Sequence, residues 1–179
     1  MTKIEDAKIL IVASDGFEQS ELTGPKSQLS SRGAAVHVAS PDGESIRGWD
    51  QGDWGETVSA DMPISQANAD DYDAIVLPGG QINPDNLRSN KEALDLIQRF
   101  NQQGKPVAAI CHAPWLLAET GIAKGRTMTS WESIRTDLRN AGATVVDQEV
   151  VRDGNIITSR QPGDIDAFVG EITEAVTQA

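Results

Sequence analysis

The sequence predicts an α/β fold in which a mostly parallel β-sheet is covered by helices on both faces. Short apolar, β-branched runs alternate with longer amphipathic stretches, and glycines or prolines separate the two kinds of segment. A strand buried on both faces is apolar at nearly every position, which is the pattern of these short runs. In a chain of 179 residues, this alternation indicates one domain, residues 1–179, built around a parallel sheet.

The predicted strands are short and buried, and most are entered or left through glycine, proline or a polar turn. In chain order they are residues 8–13, 34–39, 74–77, 107–110, 127–129 and 156–158. The last of these pairs with the apolar residues Val150 and Val151 in a predicted hairpin, because Asp153-Gly154 lies between them.

The predicted helices carry apolar residues at helical spacing and end at glycines. A helical stretch lies between the first two strands, and we expect Gly24-Pro25 to interrupt it because proline has no backbone N–H to donate. The later predicted helices are residues 90–100, 115–118, 133–140 and 163–176.

Charge and composition exclude several classes of function. Fifteen Lys and Arg against 27 Asp and Glu give a net charge of −12, so we do not expect nucleic acid as a partner. No apolar run approaches the roughly 20 residues of a membrane span, and no signal segment is found, so we expect a cytoplasmic protein and no membrane partner. One cysteine and two histidines do not predict a metal site, and no cofactor motif is present.

Ligand sites in parallel α/β sheets lie beyond the carboxyl ends of the strands, and Cys111 directly follows a predicted strand there. Small residues flank it at i−2 and i+2, as a nucleophile elbow requires, and we expect the N-terminus of the next helix to favour a thiolate. The alternative is a buried structural cysteine. His112 is a candidate base or cation beside the sulfur, with a solvent-facing or capping histidine as the alternative.

Two further strand ends carry candidate groups. Gly79 and Gly80 can present backbone N–H groups to an oxyanion, although an ordinary strand-ending turn also explains them. Glu18 can reach the thiol if the first and fourth strands are neighbours, and a protonated Glu18 would help to keep the sulfur ionised. The alternative for Glu18 is a first-turn helix carboxylate that stabilises the helix dipole.

Three segments together resemble the PfpI/ThiJ family of small α/β proteins: residues 15–22 (DGFEQSEL), 77–80 (LPGG) and 109–114 (AICHAP). Further matches occur at residues 125–126, 129–131 and 141–160, so the resemblance covers nearly the whole chain. It implies a flavodoxin-like three-layer sandwich that carries a nucleophile elbow.

The resemblance also implies roles for individual residues. Cys111 would be the nucleophile, Glu18 its carboxylic acid partner and His112 the adjacent imidazole. The N–H groups of Gly79 and Gly80 would form the oxyanion site. Two more positions match the family in this sequence: Asp85 falls where an acid orients the histidine, often across a subunit interface, and Trp131 falls where an aromatic residue lines the site.

Three functions remain open for this set of residues. The first is a cysteine-dependent enzyme, of glyoxalase or deglycase type, that acts on reactive dicarbonyls or their early adducts on proteins. The second is an intracellular cysteine peptidase that uses Cys111, His112 and Asp85. The third is a redox-sensing holdase chaperone in which Cys111 is oxidised.

By resemblance, we also expect a homo-oligomer, either a dimer or a hexamer. Trp49 and Trp54 lie in a glycine-rich segment and are candidates for an interface or a pocket rim. A local cluster that covers the sheet edge is the equal alternative.

Overall fold

The computed structural model describes residues 2–179, in which apolar runs form a central sheet and amphipathic stretches form the covering helices. The helices are α1 Gln19–Ser31, α2 Ile82–Leu87, α3 Lys91–Gln102, α4 Trp115–Glu119, α5 Arg135–Asn140 and α6 Ile165–Gln178. The strands are β1 Lys8–Val12, β2 Phe17–Glu18, β3 Ala35–Ser40, β4 Ile46–Asp50, β5 Asp53–Val58, β6 Met62–Pro63, β7 Ala74–Leu77, β8 Val107–Ile110, β9 Thr127–Met128, β10 Thr144–Val145, β11 Val150–Asp153 and β12 Ile156–Ser159.

The main sheet has seven strands in the order β11-β12-β8-β7-β1-β3-β6. All neighbouring pairs are parallel except the β11–β12 hairpin, which closes one edge. The central strands β7 and β8 are buried at every position, because helices cover both of their faces. The predicted parallel α/β sheet is confirmed, and its order places β1, β7 and β8 side by side.

Two apolar cores lie on opposite faces of this sheet. Helices α1 and α6 pack on one face, where Leu22, Phe168 and Ile172 are fully buried. Helices α3 and α4 cover the other face, through residues such as Phe100 and Leu116. Helix, sheet and helix therefore form the three-layer, flavodoxin-like sandwich that the sequence predicts.

Helix α1 differs from the sequence-based expectation. It is continuous from Gln19 to Ser31, with Pro25 inside it, whereas an interruption at Gly24-Pro25 was expected. Gly24 packs against Ile165 of α6, where an added Cβ would lie 3.3 Å from the Ile165 side chain. This tertiary packing keeps the helix continuous despite the N–H that Pro25 lacks.

A β-hairpin that was not predicted stands over the carboxyl edge of the sheet. Strands β4 and β5 pair antiparallel, and β4 also pairs with the two-residue strand β2. Gln51 and Gly52 connect β4 to β5, and both have positive φ angles, 49° and 90°, as a tight hairpin turn requires. The hairpin brings Trp49 to the edge of the sheet where Cys111 lies.

Candidate active site

Cys111 occupies a strained elbow immediately after β8. Its φ angle is 65°, in the left-handed region that residues other than glycine rarely adopt. Two hydrogen bonds hold this conformation: the Cys111 N–H donates to the Ser159 carbonyl at 3.0 Å, and the Trp131 N–H donates to the Cys111 carbonyl at 2.8 Å. The backbone around the cysteine is therefore held from both sides, which presents the thiol above the sheet edge.

The helix after the elbow begins at Trp115, as predicted, and is therefore separated from Cys111 by three residues. Residues 111–114 form a turn, and α4 starts only at Trp115. The N–H groups that donate to the sulfur are those of Gly80 and His112, rather than those of the first helical turn. We expected the helix N-terminus to favour the thiolate, but the groups that contribute this effect are the individual backbone N–H groups of Gly80 and His112.

The carboxylic acid beside the thiol is Glu21, in the first turn of α1. Glu21 is fully buried, and its Oε2 accepts a hydrogen bond from the Gly79 N–H at 2.9 Å. Its carboxyl lies close enough to the Cys111 thiol for the two groups to affect each other's protonation. Gly79 lies between them, since an added Cβ there would clash with Glu21 Oε2 and lie 2.6 Å from Cys111 Cβ.

Burial keeps Glu21 protonated at neutral pH. Desolvation, and then the nearby charge of Glu18, raises the pKa of Glu21 to about 8, and the Gly79 N–H opposes this shift. Burial is also the largest cause that raises the pKa of the Cys111 thiol, and the negative charge of an ionised Glu21 raises it further. A protonated Glu21 removes that charge, so protonation of Glu21 favours the thiolate of Cys111.

His112 lies on the other side of the sulfur. Its Nδ1 is 3.2 Å from the Cys111 Sγ, a contact that a regular helix would not allow but the turn at 111–114 does. The ring packs against Trp131, with centroids 6.0 Å apart, and edge-on against Trp115 at 5.3 Å. Burial lowers the pKa of His112, so the imidazole is neutral near pH 7.

Glu18 does not occupy the position beside the Cys111 thiol that the resemblance implies for it. It precedes α1, is half-buried, and lines the cavity in front of Cys111, while Glu21 takes the place beside the sulfur. Burial and then the charge of Asp50 raise the pKa of Glu18. The missed signal is helical spacing: Glu21 lies four residues before Pro25 and eight before Leu29, on the buried face of α1.

The two glycines of the predicted oxyanion site have different roles. The N–H of Gly79 is engaged by Glu21, whereas the N–H of Gly80 is directed to the sulfur. Gly80 has a φ of 81°, and an added Cβ would lie 2.6 Å from the Glu18 nitrogen. The Gly80 N–H therefore remains the candidate donor to an oxyanion, and Gly79 serves to hold Glu21.

Asp85 is not brought to His112 within the chain. It lies exposed on α2, and among residues 2–179 no acidic side chain hydrogen-bonds the His112 ring. The three residues expected for a peptidase site are therefore not assembled in one copy of the chain.

The side chains of the candidate site open into a cavity of about 340 Å³. Its lining residues are Glu18, Glu21, Trp49, Gly80, Gln81, Cys111, His112, Trp131 and Pro162. Trp131 therefore lies where the sequence predicts, on the cavity wall, and Trp49 lies on the same cavity. Trp54 lies behind Trp49 in an edge-to-face contact with centroids 5.4 Å apart, and is 41% exposed.

Among residues 2–179, no helix is both long and apolar enough to cross a bilayer. The same residues contain no group of three or more His, Cys, Asp or Glu side chains placed to hold a metal ion.

Comparison with known proteins gives one family. A DJ-1/PfpI family model matches residues 7–175. A protein of Thermococcus kodakarensis that is named a deglycase is 42% identical over 167 residues, 93% of this chain and 98% of the relative. Deglycase PfpI of Pyrococcus furiosus is 40% identical with the same coverage.

The solved structure of Drosophila melanogaster DJ-1beta has the same fold. It superimposes with a TM-score of 0.86 at 32% identity, over 99% of this chain and 95% of its own. The family model, the close relatives and this structural match agree over nearly the whole chain. The protein belongs to the DJ-1/PfpI family.

Proposed function

We propose that the protein is a cysteine-dependent deglycase, which removes early adducts of reactive dicarbonyls such as methylglyoxal from amino and thiol groups. The observation that carries the proposal is the fully buried carboxyl of Glu21 on one side of the Cys111 thiol, with the His112 ring 3.2 Å from the sulfur on the other. Burial raises the pKa of Glu21 and lowers that of His112, which favours the neutral form of both. Relatives named as deglycases support this reaction class.

The first step uses both neighbours of the thiol. The bond between the adduct carbon and the modified nitrogen or sulfur breaks first: the departing group keeps the bonding electrons and takes the proton of the adduct hydroxyl, and the carbon becomes an aldehyde. His112 Nδ1 then takes the Cys111 thiol proton, and the sulfur forms a bond to this aldehyde carbon. The carbonyl electron pair moves to oxygen, where the Gly80 N–H donates to the developing charge. The neutral Glu21 avoids adding a second negative charge beside the sulfur.

The second step needs no external oxidant. The proton on the former aldehyde carbon is removed and a proton is added to the former ketone oxygen, which gives an enediol. The hydroxyl on the former aldehyde carbon then loses its proton while the former ketone carbon gains one, which gives a thioester of a 2-hydroxy acid. Water then hydrolyses the thioester, which releases the hydroxy acid and returns the thiol. In the overall reaction, adduct and water give the free amine or thiol and lactate, so the aldehyde carbon is oxidised while the ketone carbon is reduced.

The cavity is suited to a small carbonyl carried on a larger group. Its volume of about 340 Å³ exceeds what methylglyoxal needs, and two indole rings, Trp49 and Trp131, line it. This room favours an adduct, with its carbonyl at Cys111 and the modified side chain between the indoles, over free methylglyoxal.

We also propose that the chain assembles as a homo-oligomer, in which Asp85 of one copy approaches His112 of another. Asp85 is exposed on α2, and the neighbouring Ile82 is 39% exposed, which is high for an isoleucine. Peptidase activity would need this contact, because no acid orients His112 within one copy. It therefore depends on assembly, whereas the deglycase chemistry does not.

The test is the release of a 2-hydroxy acid from the hemithioacetal of methylglyoxal and N-acetylcysteine. We expect the wild type to form lactate and Cys111→Ser to form none above the uncatalysed rate. Glu92→Gln, which removes an exposed carboxylate on α3, is the matched surface control and should keep full activity. Lactate formation by Cys111→Ser at the wild-type rate would reject the proposal.

A further inference from the structure

A second cavity adjoins the catalytic one. It has a volume of about 240 Å³ and shares Trp131 as a wall with the cavity in front of Cys111. The segment after β12 contributes to both cavities: Arg160 and Gln161 line the second cavity, and Pro162 lines the first. Because Trp131 lines both cavities, a substrate held at Cys111 would have to extend around this side chain to reach the second cavity.

Two arginines in the second cavity converge on a single oxygen. Arg135 Nη2 and Arg160 Nη1 each lie 2.9 Å from Oδ1 of Asp147. The two arginine side chains are 19% and 22% exposed, whereas the Asp147 side chain is 62% exposed. The two arginine side chains are thus mostly buried in the cavity wall, whereas the Asp147 carboxylate contacts them from the solvent-exposed side.

The arginines are held independently of Asp147. Arg160 forms a two-point ion pair with Asp164, through Nε and Nη2 at 2.9 Å each, and Asp164 is itself 3% exposed. Arg135 has a second, longer bond of 3.4 Å from Nε to the Ser130 carbonyl. Asp147, by contrast, lies in residues 146–149, which have no regular secondary structure.

Removal of Asp147 makes this cavity less negative. Arg135 and Arg160 are paired with Asp147 and Asp164, and the carboxylate of Glu132 also lines the cavity, so without Asp147 the two arginines face two carboxylates instead of three. The chain as a whole carries −12 and repels anions, which makes a preformed arginine pair the place where one would be held. Guanidinium groups bind carboxylates with directed, charge-assisted hydrogen bonds.

We propose that Arg135 and Arg160 form an anion subsite of the catalytic cavity, which Asp147 occupies in this structure and which binds the carboxylate of an adduct held at Cys111. This inference rests on the proposed deglycase function, which supplies the adduct as substrate. It adds that adducts with a carboxylate are preferred. Asp147 acts as an internal competitor that such a substrate displaces.

The test compares two substrates that differ only in charge: the methylglyoxal hemithioacetals of N-acetylcysteine and of N-acetylcysteine amide. The readout is the ratio of kcat/KM for the anionic over the neutral adduct. We expect Asp147→Asn to raise this ratio about fivefold and Arg135→Gln to lower it by about the same factor, as for a partly exposed charge-assisted hydrogen bond. Arg139→Gln, the same change at an exposed position of α5, should keep the wild-type ratio.

A second measurement separates this proposal from the deglycase proposal. NMR titration with N-acetylalanine and its amide, which carry neither thiol nor aldehyde, follows the Arg135 Nε–H and Trp131 indole signals. We expect the carboxylate, but not the amide, to shift these signals, and more strongly in Asp147→Asn. A wild type that turns over neither adduct but shows these shifts would reject the deglycase and support the subsite.

The opposite results overturn the subsite. If Asp147→Asn and Arg135→Gln both keep the wild-type ratio, or if N-acetylalanine and its amide shift the signals equally, the arginine pair is a structural ion pair only. Circular dichroism of each variant establishes that a changed ratio does not come from unfolding.

Discussion

The carboxyl of Glu21 and the thiol of Cys111 lie side by side in the interior, each buried and each affecting the other's protonation. They come from different parts of the fold: Glu21 from the first turn of α1, and Cys111 from the elbow after β8. The strand order places β1, β7 and β8 together, so the segments that follow these strands meet at one edge of the sheet. The proposed chemistry of the site depends on this contact.

Stability should depend on pH through Glu21. Its pKa is about 8 in the folded state and about 4.5 when unfolded, so the folded protein binds the proton more tightly. The stabilising contribution is fully present below pH 4.5 and is lost as the pH rises through 8. We expect Glu21→Gln, which cannot ionise, to lose less free energy of unfolding than the wild type between pH 5 and pH 8.5.

Urea unfolding at these two pH values measures the effect. The difference between wild type and Glu21→Gln should change by a few kcal/mol, on the order of the shift in pKa times 1.36 kcal/mol. The exposed control Glu92→Gln should follow the wild type. Parallel pH dependence in Glu21→Gln and wild type would show that the buried carboxyl is not protonated.

The two glutamates of the DGFEQSEL segment should differ sharply in activity. Because Glu21 lies beside the sulfur and Glu18 only lines the cavity, Glu21→Gln should lower kcat by about 100-fold or more, and Glu18→Gln by less than about tenfold. The wild-type rate should also fall as the pH rises through about 8, when Glu21 loses its proton. Steady-state rates from pH 6 to 9 decide the assignment, and a larger loss in Glu18→Gln would restore Glu18 as the acid partner.

Gly79 should not tolerate a side chain. An alanine Cβ would lie 2.6 Å from Cys111 Cβ and 2.7 Å from the Ile110 carbonyl oxygen, so the elbow must move. We expect Gly79→Ala to lose at least about tenfold in kcat and about 1–3 kcal/mol in free energy of unfolding. Gly170→Ala, in open space on α6, is the control and should be neutral or stabilising. A fully active Gly79→Ala would contradict the close packing of Glu21 and Cys111.

The proposed homo-oligomer, and the role of Asp85 in it, can be tested separately. Light scattering at micromolar concentration should give a mass that is a multiple of 19.2 kDa. Asp85→Asn should keep that mass but change the pH profile of the reaction, because it removes a charge proposed to approach His112 of another copy. A monomeric wild type with full activity would exclude this role.

Much of the fold follows from local patterns in the chain. The continuous apolar runs identify β1, β7 and β8, and Asp153-Gly154 identifies the β11–β12 hairpin, because these signals are local. The β4–β5 hairpin is missed because β5 is mostly exposed and lacks a regular alternation of apolar residues. Helix α1 stays whole through Pro25 because of packing on α6, which no local pattern contains.

In the candidate site, too, local patterns predict some residues and tertiary packing decides the others. Cys111, His112 and Gly80 are adjacent to predicted strand ends, so strand placement alone locates them. The assignment to Glu18 fails because the choice between Glu18 and Glu21 depends on which face of α1 packs on the sheet. The helical spacing of Glu21, Pro25 and Leu29 contains that information, and a carboxylate on an apolar helix face is itself a signal of function.

The most direct measurement is mass spectrometry of the wild type quenched in acid during turnover of the N-acetylcysteine adduct. Cys111 is the only cysteine, so a covalent intermediate can be assigned to it by peptide mapping. We expect a mass increase of one methylglyoxal on Cys111, which disappears when substrate is exhausted and accumulates in Glu21→Gln. Lactate formed at the wild-type rate with Cys111 unmodified throughout, or by Cys111→Ser, would contradict covalent catalysis by this thiol.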